Sequence, residues 1–395
     1  MREKNTKKTH KMHVSLYPLT SNHKLISPPR IPATYSNISW TSIAIGAYNV
    51  SFTASKASIA ILYVVDTTLN KYAAIVSGYS VTSGANSVSI TSSTTGVTWD
   101  AAPYWGHSYT FSLVDSTYTS TPISNTFNPY GPTFVSNLEC CWDASVSASI
   151  TSPGGVLTWA DMSANSLTMT AIANNGGSIT YQPTYTSGTP SYVTFTSTSS
   201  TGSGMTCGTT SIIFDTIFEI FIIQNLPAYA TPAYIQAAMG CSETNPGGLE
   251  VVASVNGQTQ GTTSRITNQY NAVVEQFACG LTGGVWGLQN IRCGHGQWTN
   301  SGGAPVQPQT SGLAVYATSA LNNVVYNTGS INPNITSSSF GSGSPAHITL
   351  GCRYNSSYAD LLNGSLALVM KFSRILSTAE RTFLLQWMAA TFGSI

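Results

Sequence analysis

Charge is scarce in this chain. Asp, Glu, Lys and Arg together make up 7% of its 395 residues, against about 25% in ordinary globular proteins. The seven cysteines are odd in number and include no C-x-x-C pair. Neither a disulfide framework nor a zinc site is indicated, which fits synthesis in a reducing compartment. The six histidines form no H-x-x-x-H pair, and no Ser or Cys nucleophile stands beside one in a catalytic motif. No apolar run reaches bilayer length, because the longest, "SIIFDTIFEIFIIQNL", is interrupted by Asp215 and Glu219. No apolar segment with a cleavage site follows the basic start, so a soluble protein without a secretory signal or membrane insertion is expected.

Hydroxyls and amides stand where charge is missing. Ser and Thr make up roughly a quarter of the chain, 42% is hydrophobic, and Tyr, Phe and Trp number 20, 13 and 8. Such a composition favours β-sheet over disorder. A weakly charged surface also offers little repulsion against self-association, so a homo-oligomer or other assembly is expected. The net charge of +1 hides an asymmetry. Residues 1–30 carry +6, from Arg2, Lys4, Lys7, Lys8, Lys11, Lys24 and Arg30 against Glu3, and the remainder carries −5. The basic arm is read either as a solvated tail or as a contact for an anionic partner, and Met12 is an alternative start. The acidic body, lacking a basic groove, is not expected to bind nucleic acid.

Pro28, Pro29 and Pro32 close the arm, and "NPYGPTF" (Asn128 to Phe134) makes a second break. Three parts follow: an arm over 1–33, a small sandwich over 34–128 and a larger unit over 129–395. In the first unit, runs such as "SIAILYVVD" and "YTFSLVDS" are separated by Ser/Gly/Asn turns, the spacing of a small β-sandwich. Near the end of the chain, Asn363-Gly364 is a turn dipeptide before an apolar strand. Ser377 and Glu380 have capping-box spacing, Phe383, Leu384, Trp387, Met388 and Thr391 form one stripe, and Gly393 is a stop. The helix is expected to cover an end or edge of a sheet that would otherwise expose unpaired backbone groups.

"TTGVTWDAAPYWGHSYTFSLVDSTYTSTPIS" resembles the last strands of fibronectin type III domains, with Tyr109 as the corner tyrosine; an immunoglobulin-like sandwich is the alternative. "LECCWDASVSASITSPGGVLTWADMSANSLTMTA" resembles the opening of the laminin-G-like, concanavalin-A-like jelly-roll domains of phage, virus and microbial surface proteins. Trp142, Asp143 and Ala144 match its first step, and Trp159, Asp161, Ser163 and Asn165 its second, with Ala164 where that family prefers Gly. The resemblance implies an all-β chain of two β-sandwich domains, the second a jelly roll closed by a C-terminal helix. Such sandwiches host lectins, hydrolases and inert modules alike.

Asp161, Ser163 and Asn165 carry oxygen ligands that suit calcium, and the same residues also build side-chain to backbone turns. In "CGHGQWTNSGGAP", Trp298 with Asn300 and His295 offers a flat face and polar groups for a glycan, in what reads as a Gly-rich polar loop; a packing role for Trp298 is the alternative. Asp215 and Glu219 share a strand face, but the paired-carboxylate spacing of related glucanases is missing. No catalytic residue and no cofactor is assigned. The reading that follows is a non-enzymatic viral structural protein, a minor capsid, spike or fibre component made in the host cytoplasm. Its partners would be other virion proteins and host surface glycans. A microbial carbohydrate-binding adhesin, and behind it a glycan hydrolase, are the alternatives.

Overall fold

The computed structural model describes residues 32–393 except 101–102, 116–117, 153–156, 175–176, 199, 208–217, 228–235, 242–248, 255–262, 269–272, 279–282, 300–304, 319–347 and 356. The basic stretch of the arm therefore lies outside the described residues. The described residues are all-β, with two short or terminal α-helices among them and antiparallel pairing between all named strands.

The first sandwich stacks a three-stranded sheet on a five-stranded one. The smaller sheet orders β1 (Tyr35–Ala44), β2 (Ala47–Ala54) and β5 (Gly84–Ile90). The larger orders β6 (Val97–Trp99), β4 (Lys71–Val81), β3 (Ser58–Asp66), β7 (Ser108–Val114) and β8 (Ile123–Thr126). β2 and β7 alternate strictly between buried and half-buried residues, because each sheet has one face in the core and one toward solvent. Tyr48, Val50 and Phe52 of β2 meet Leu62 and Val64 of β3 and Phe111 and Leu113 of β7, all within one buried cluster. Gly46 closes the β1–β2 turn at φ +79°, which a side chain would resist. Tyr109 is buried, and its hydroxyl accepts the Tyr104 N–H at 2.7 Å, the corner bond that the fibronectin resemblance implied.

The second unit stacks a nine-stranded sheet on a seven-stranded one. The larger sheet orders β10 (Ile150–Thr151), β11 (Thr158–Trp159), β12 (Met169–Ala171), β15 (Met205–Thr206), β23 (Ile348–Leu350), β17 (Gln236–Cys241), β18 (Leu249–Ser254), β19 (Thr263–Asn268) and β20 (Val273–Ala278). The other orders β13 (Thr184–Thr186), β14 (Tyr192–Phe195), β26 (Gly364–Phe372), β16 (Phe218–Asn225), β21 (Trp286–Thr299) and β22 (Pro305–Thr318), with β9 (Leu138–Asp143) also paired to β26. A hairpin, β24 (Arg353–Asn355) and β25 (Ser357–Ala359), stands apart. Trp142, Trp159, Phe195, Ile220 and Val369 share the core between the two sheets.

The terminal helix, α2 (Thr378–Phe392), forms where its capping box predicts: Ser377 Oγ accepts the Glu380 N–H and Glu380 accepts the Ser377 N–H. Gly393 ends it at φ +82°. Two expectations need correction. The buried stripe contains Phe383, Leu384, Trp387 and Met388, but its last member is Phe392, with Thr391 only half-buried. The helix also covers a sheet face and not an end or edge. Phe221 and Ile223 of β16 and Leu368, Met370 and Phe372 of β26 point away from the inter-sheet core and cluster with the helix residues. Seven of the eight residues of β16, and eight of the nine of β26, are buried. Strands buried on both faces read as continuous apolar runs without alternation. A shift in pairing register near Ala367 changes which of its neighbours face inward: Leu366 and Val369 belong to the inner core.

Between the units, a single helical turn, α1 (Gly131–Phe134), lies against α2. A Cβ on Gly131 would stand 2.4 Å from Trp387 Cγ, so only glycine allows this approach. The Phe127 ring packs 5.6 Å from that of Phe383 at a tilt of 48°, Tyr130 meets Trp387 edge-on at 5.5 Å, and the Trp105 backbone N–H donates to Gln386 Oε1 at 3.1 Å. One hydrophobic cluster runs from the first sandwich through α2 to the outer face of the second unit.

Candidate functional site

The four buried carboxylates among the described residues are all engaged by neighbouring groups. Glu219, on the helix side of β16, is fully buried. It accepts both the Arg381 Nε (2.8 Å) and Nη2 (3.1 Å), the Leu376 N–H (2.8 Å) and the Asn290 amide (3.0 Å). A bidentate guanidinium pair of this kind fixes direction as well as distance, and here it fastens the start of α2 to the sheet. Asp215, its proposed strand-face companion, lies outside the described residues.

Asp161 sits just after β11. Its Oδ1 accepts the N–H groups of Cys141 and Ser163 at 2.7 and 2.8 Å, and its Oδ2 accepts the Ser163 hydroxyl at 2.6 Å and the Leu167 N–H at 3.0 Å. The Asn165 amide donates to the Glu139 carbonyl at 2.7 Å, and Ser163 Oγ lies 2.9 Å from the same oxygen. Structure thus brings Asp161, Ser163 and Asn165 together, as side-chain to backbone bonds that tie the turn to β9. These donors take up both Asp161 carboxylate oxygens, so a calcium ion bound there would have to displace them. Among the described residues no group of three His, Cys, Asp or Glu side chains is placed to hold a metal ion.

Asp143 accepts the Tyr130 hydroxyl at 2.7 Å and the Ser145 N–H and hydroxyl at 2.8 and 2.6 Å. Burial pushes its carboxyl above the ordinary range, and the Ser145 and Tyr130 bonds oppose that. Asp66 bonds His107 Nδ1 at 2.7 Å and the Leu69 N–H at 2.9 Å. Lys371, fully buried, pairs with Glu139 and lies 5.7 Å from the centre of the Phe218 ring. The described thiols are poor nucleophiles, because burial raises Cys140, Cys141 and Cys207 and pushes Cys352 up to about 12.

His295 and Trp298 lie on β21, which pairs with β22 so that Trp298 stands opposite Val306. The loop expected around them is therefore a strand at these two positions, and Asn300 lies outside the described residues. The backbone register puts 295 and 298 an odd number of residues apart on a strand with two pairing shifts.

A cleft that sequence reasoning missed opens at the junction. Pro103 and Tyr104 form one wall, and Ala379, Thr382, Phe383 and Gln386 of α2 form the other, enclosing about 130 Å³. The Tyr104 ring also lies 5.2 Å from that of His107, tilted by 42°. An aromatic ring, a hydroxyl and an amide line it, in a volume well below the roughly 300–1,000 Å³ of ligand pockets. "PYWGHSY" marked the aromatic side in the sequence, but nothing linked it to a helix about 280 residues on.

No family model and no curated protein matches the chain. Among solved structures, the binding domain of botulinum neurotoxin serotype D/C is similar at 9% identity and a TM-score of 0.39, over 63% of this chain and 51% of that one. A structure titled for botulinum neurotoxin type C entry through two ganglioside molecules is similar at 8% and 0.38. The exoplasmic/lumenal domain of VIP36, in its Ca2+/Man3GlcNAc-bound form, is similar at 9% and 0.31, over 52% of this chain and 87% of that one. The chain thus spans about half the length of the toxin structures. At these TM-scores the likeness sets no common function.

Proposed function

We propose that this protein is a non-enzymatic structural component of a viral particle, built as a rigid pair of β-sandwiches that displays a glycan-recognising surface. The observation that carries the non-enzymatic reading is the commitment of Asp66, Asp143, Asp161 and Glu219 to backbone donors, hydroxyls and cations of the fold. A pair of carboxylates spanning a glycosidic bond needs one free acid and one free base or nucleophile, and Glu219 is available for neither. Display is supported by the junction, where α2 holds both sandwiches through Gln386, Phe383 and Trp387. Glycan recognition is supported by a chain in which hydroxyls and amides stand where charge is missing.

Gradient-purified particles, analysed by mass spectrometry, test the viral role: the polypeptide co-sediments with intact particles at constant stoichiometry. Its recovery only in the soluble fraction overturns that role. Binding of the purified chain to a glycan array tests recognition separately, and an array with no bound glycan removes that part of the proposal.

A further inference from the structure

The two outer faces of the first sandwich differ in kind. On the smaller sheet, the solvent side of β2 presents Asn49, Ser51 and Thr53. On the larger sheet, the solvent side of β3 presents Ile59, Ile61, Tyr63 and Val65. Pairing extends this row toward β4, where Tyr63 stands opposite Ile75 and Val65 opposite Tyr72; toward β7 it meets Val114 opposite Ile61 and then the hydroxyls of Ser112 and Thr110. Ile59 is 70% exposed and Tyr72 is 52% exposed. The Tyr63 and Tyr72 rings pack 5.5 Å apart, which gives the ridge a fixed shape. α2 does not cover this face, since its contacts with the first sandwich come from Tyr104, Trp105 and Phe127 at the sandwich end.

We infer that this face is a self-association surface, on which a second copy of the chain packs its own β3 ridge through a two-fold axis. Three observations select a second copy over another occupant. Apart from Lys71 at the start of β4, the exposed and half-buried positions of β3, β4 and β7 hold no charged residue, so two identical faces meet with little like-charge repulsion, and a charged partner finds little complement there. Lys71 and Asp100 at the rim pair with each other at 3.4 Å and leave no net charge. The area also fits. At about 3.3 Å per residue and about 4.8 Å between strands, the five-stranded face covers about 500 Å². Two copies therefore bury about 1,000 Å², the floor for a specific interface. The twist of each sheet lets two such faces pack at about −30°, as within a sandwich, and a self-complementary patch closes as a dimer instead of growing a fibre. Burial at this floor puts the dimer among the weak, reversible ones.

Sedimentation velocity of the full chain, from low micromolar to hundreds of micromolar, tests the inference. Wild type shifts from monomer to dimer with concentration. Ile59→Lys, at a position already exposed, weakens the dimer at least tenfold, whereas Ser51→Lys on the polar face leaves it unchanged. Hydrogen exchange on the wild type adds a readout that needs no variant: outward-row strands β3 and β4 gain protection on concentration and β2 does not. A wild type that stays monomeric throughout overturns the inference. So does a dimer equally stable in Ile59→Lys, or concentration-dependent protection confined to the second unit.

Discussion

The two sandwiches solve the same packing problem with different strand chemistry. In the first, β2 reads A-Y-N-V-S-F-T-A and alternates at every step. In the second, β16 and β26 carry nearly unbroken apolar runs, F-E-I-F-I-I-Q-N and G-S-L-A-L-V-M-K-F. Alternation is sufficient where one sheet face meets water. An unbroken run requires a cover on the second face, and α2 supplies it with five buried side chains, each contributing about 1.5–3 kcal/mol when fully buried. The difference extends to charge. Glu219 and Lys371 are fully buried in the second unit, whereas among the described charged residues of the first sandwich only Asp66 is buried. A helix laid on an apolar sheet can slide, and a directional buried ion pair sets its position.

The comparison breaks first at Glu219. Glu219→Ala leaves Arg381, whose side chain is 14% exposed, without its carboxylate. A loss of about 3–5 kcal/mol in urea unfolding is expected, with the second unit losing hydrogen-exchange protection before the first. Equal loss in both units would show that the two sandwiches share one cooperative transition. Gly131→Ala comes next: a Cβ 2.4 Å from Trp387 forces the indole or α1 to move, costing about 1–3 kcal/mol. The Trp fluorescence of the junction should change while the near-ultraviolet signal of the first sandwich persists. Tyr109→Phe acts on the other side of the comparison by removing the acceptor of the Tyr104 N–H. It costs about 1–2 kcal/mol, and deuterium uptake rises in β7 and not in β16. Ser377→Ala removes the helix cap for about 1 kcal/mol, read as a lower midpoint with an unchanged denaturant slope.

The smallest effect is pH-dependent. The Arg374 guanidinium, with the Ser377 cap bonds, lowers the Glu380 carboxyl from the ordinary value of 4.5 to about 2. A carboxyl depressed in the folded state stabilises above its unfolded value, and that stability is lost as pH falls through the folded one. Glu380→Gln should therefore flatten the stability profile between about pH 4.5 and about pH 2 and leave its slope near neutrality unaltered.

The capping box, the terminal strand and the all-β class were legible because each depends on residues close together in the chain. Ser377, Glu380 and Gly393 act within one helix, and the alternation of β2 and β7 appears within eight residues. The helix's true resting place was also written in the sequence, in the absence of alternation across "SLALVMKF", but that signal marks two-faced burial without naming the cover. The junction cleft was not legible. Trp105 and Gln386 meet across 281 residues, and no local period records such a meeting. The Asp161 turn shows a further limit: the same three side chains serve a cation or a backbone, and only the positions of Cys141, Leu167 and Glu139 decide which donors and acceptors reach them.

The placement of β26 also governs the order of assembly. This strand pairs with β9, β14 and β16, and its Lys371 reaches Glu139 across 232 residues. A ribosome therefore releases β9 long before its partner exists, whereas the hairpins of the first sandwich zip together soon after emergence. Through that interval β9 remains unpaired and β16 has only its β21 edge paired, so nascent chains stalled before β26 are the species that chaperones must hold.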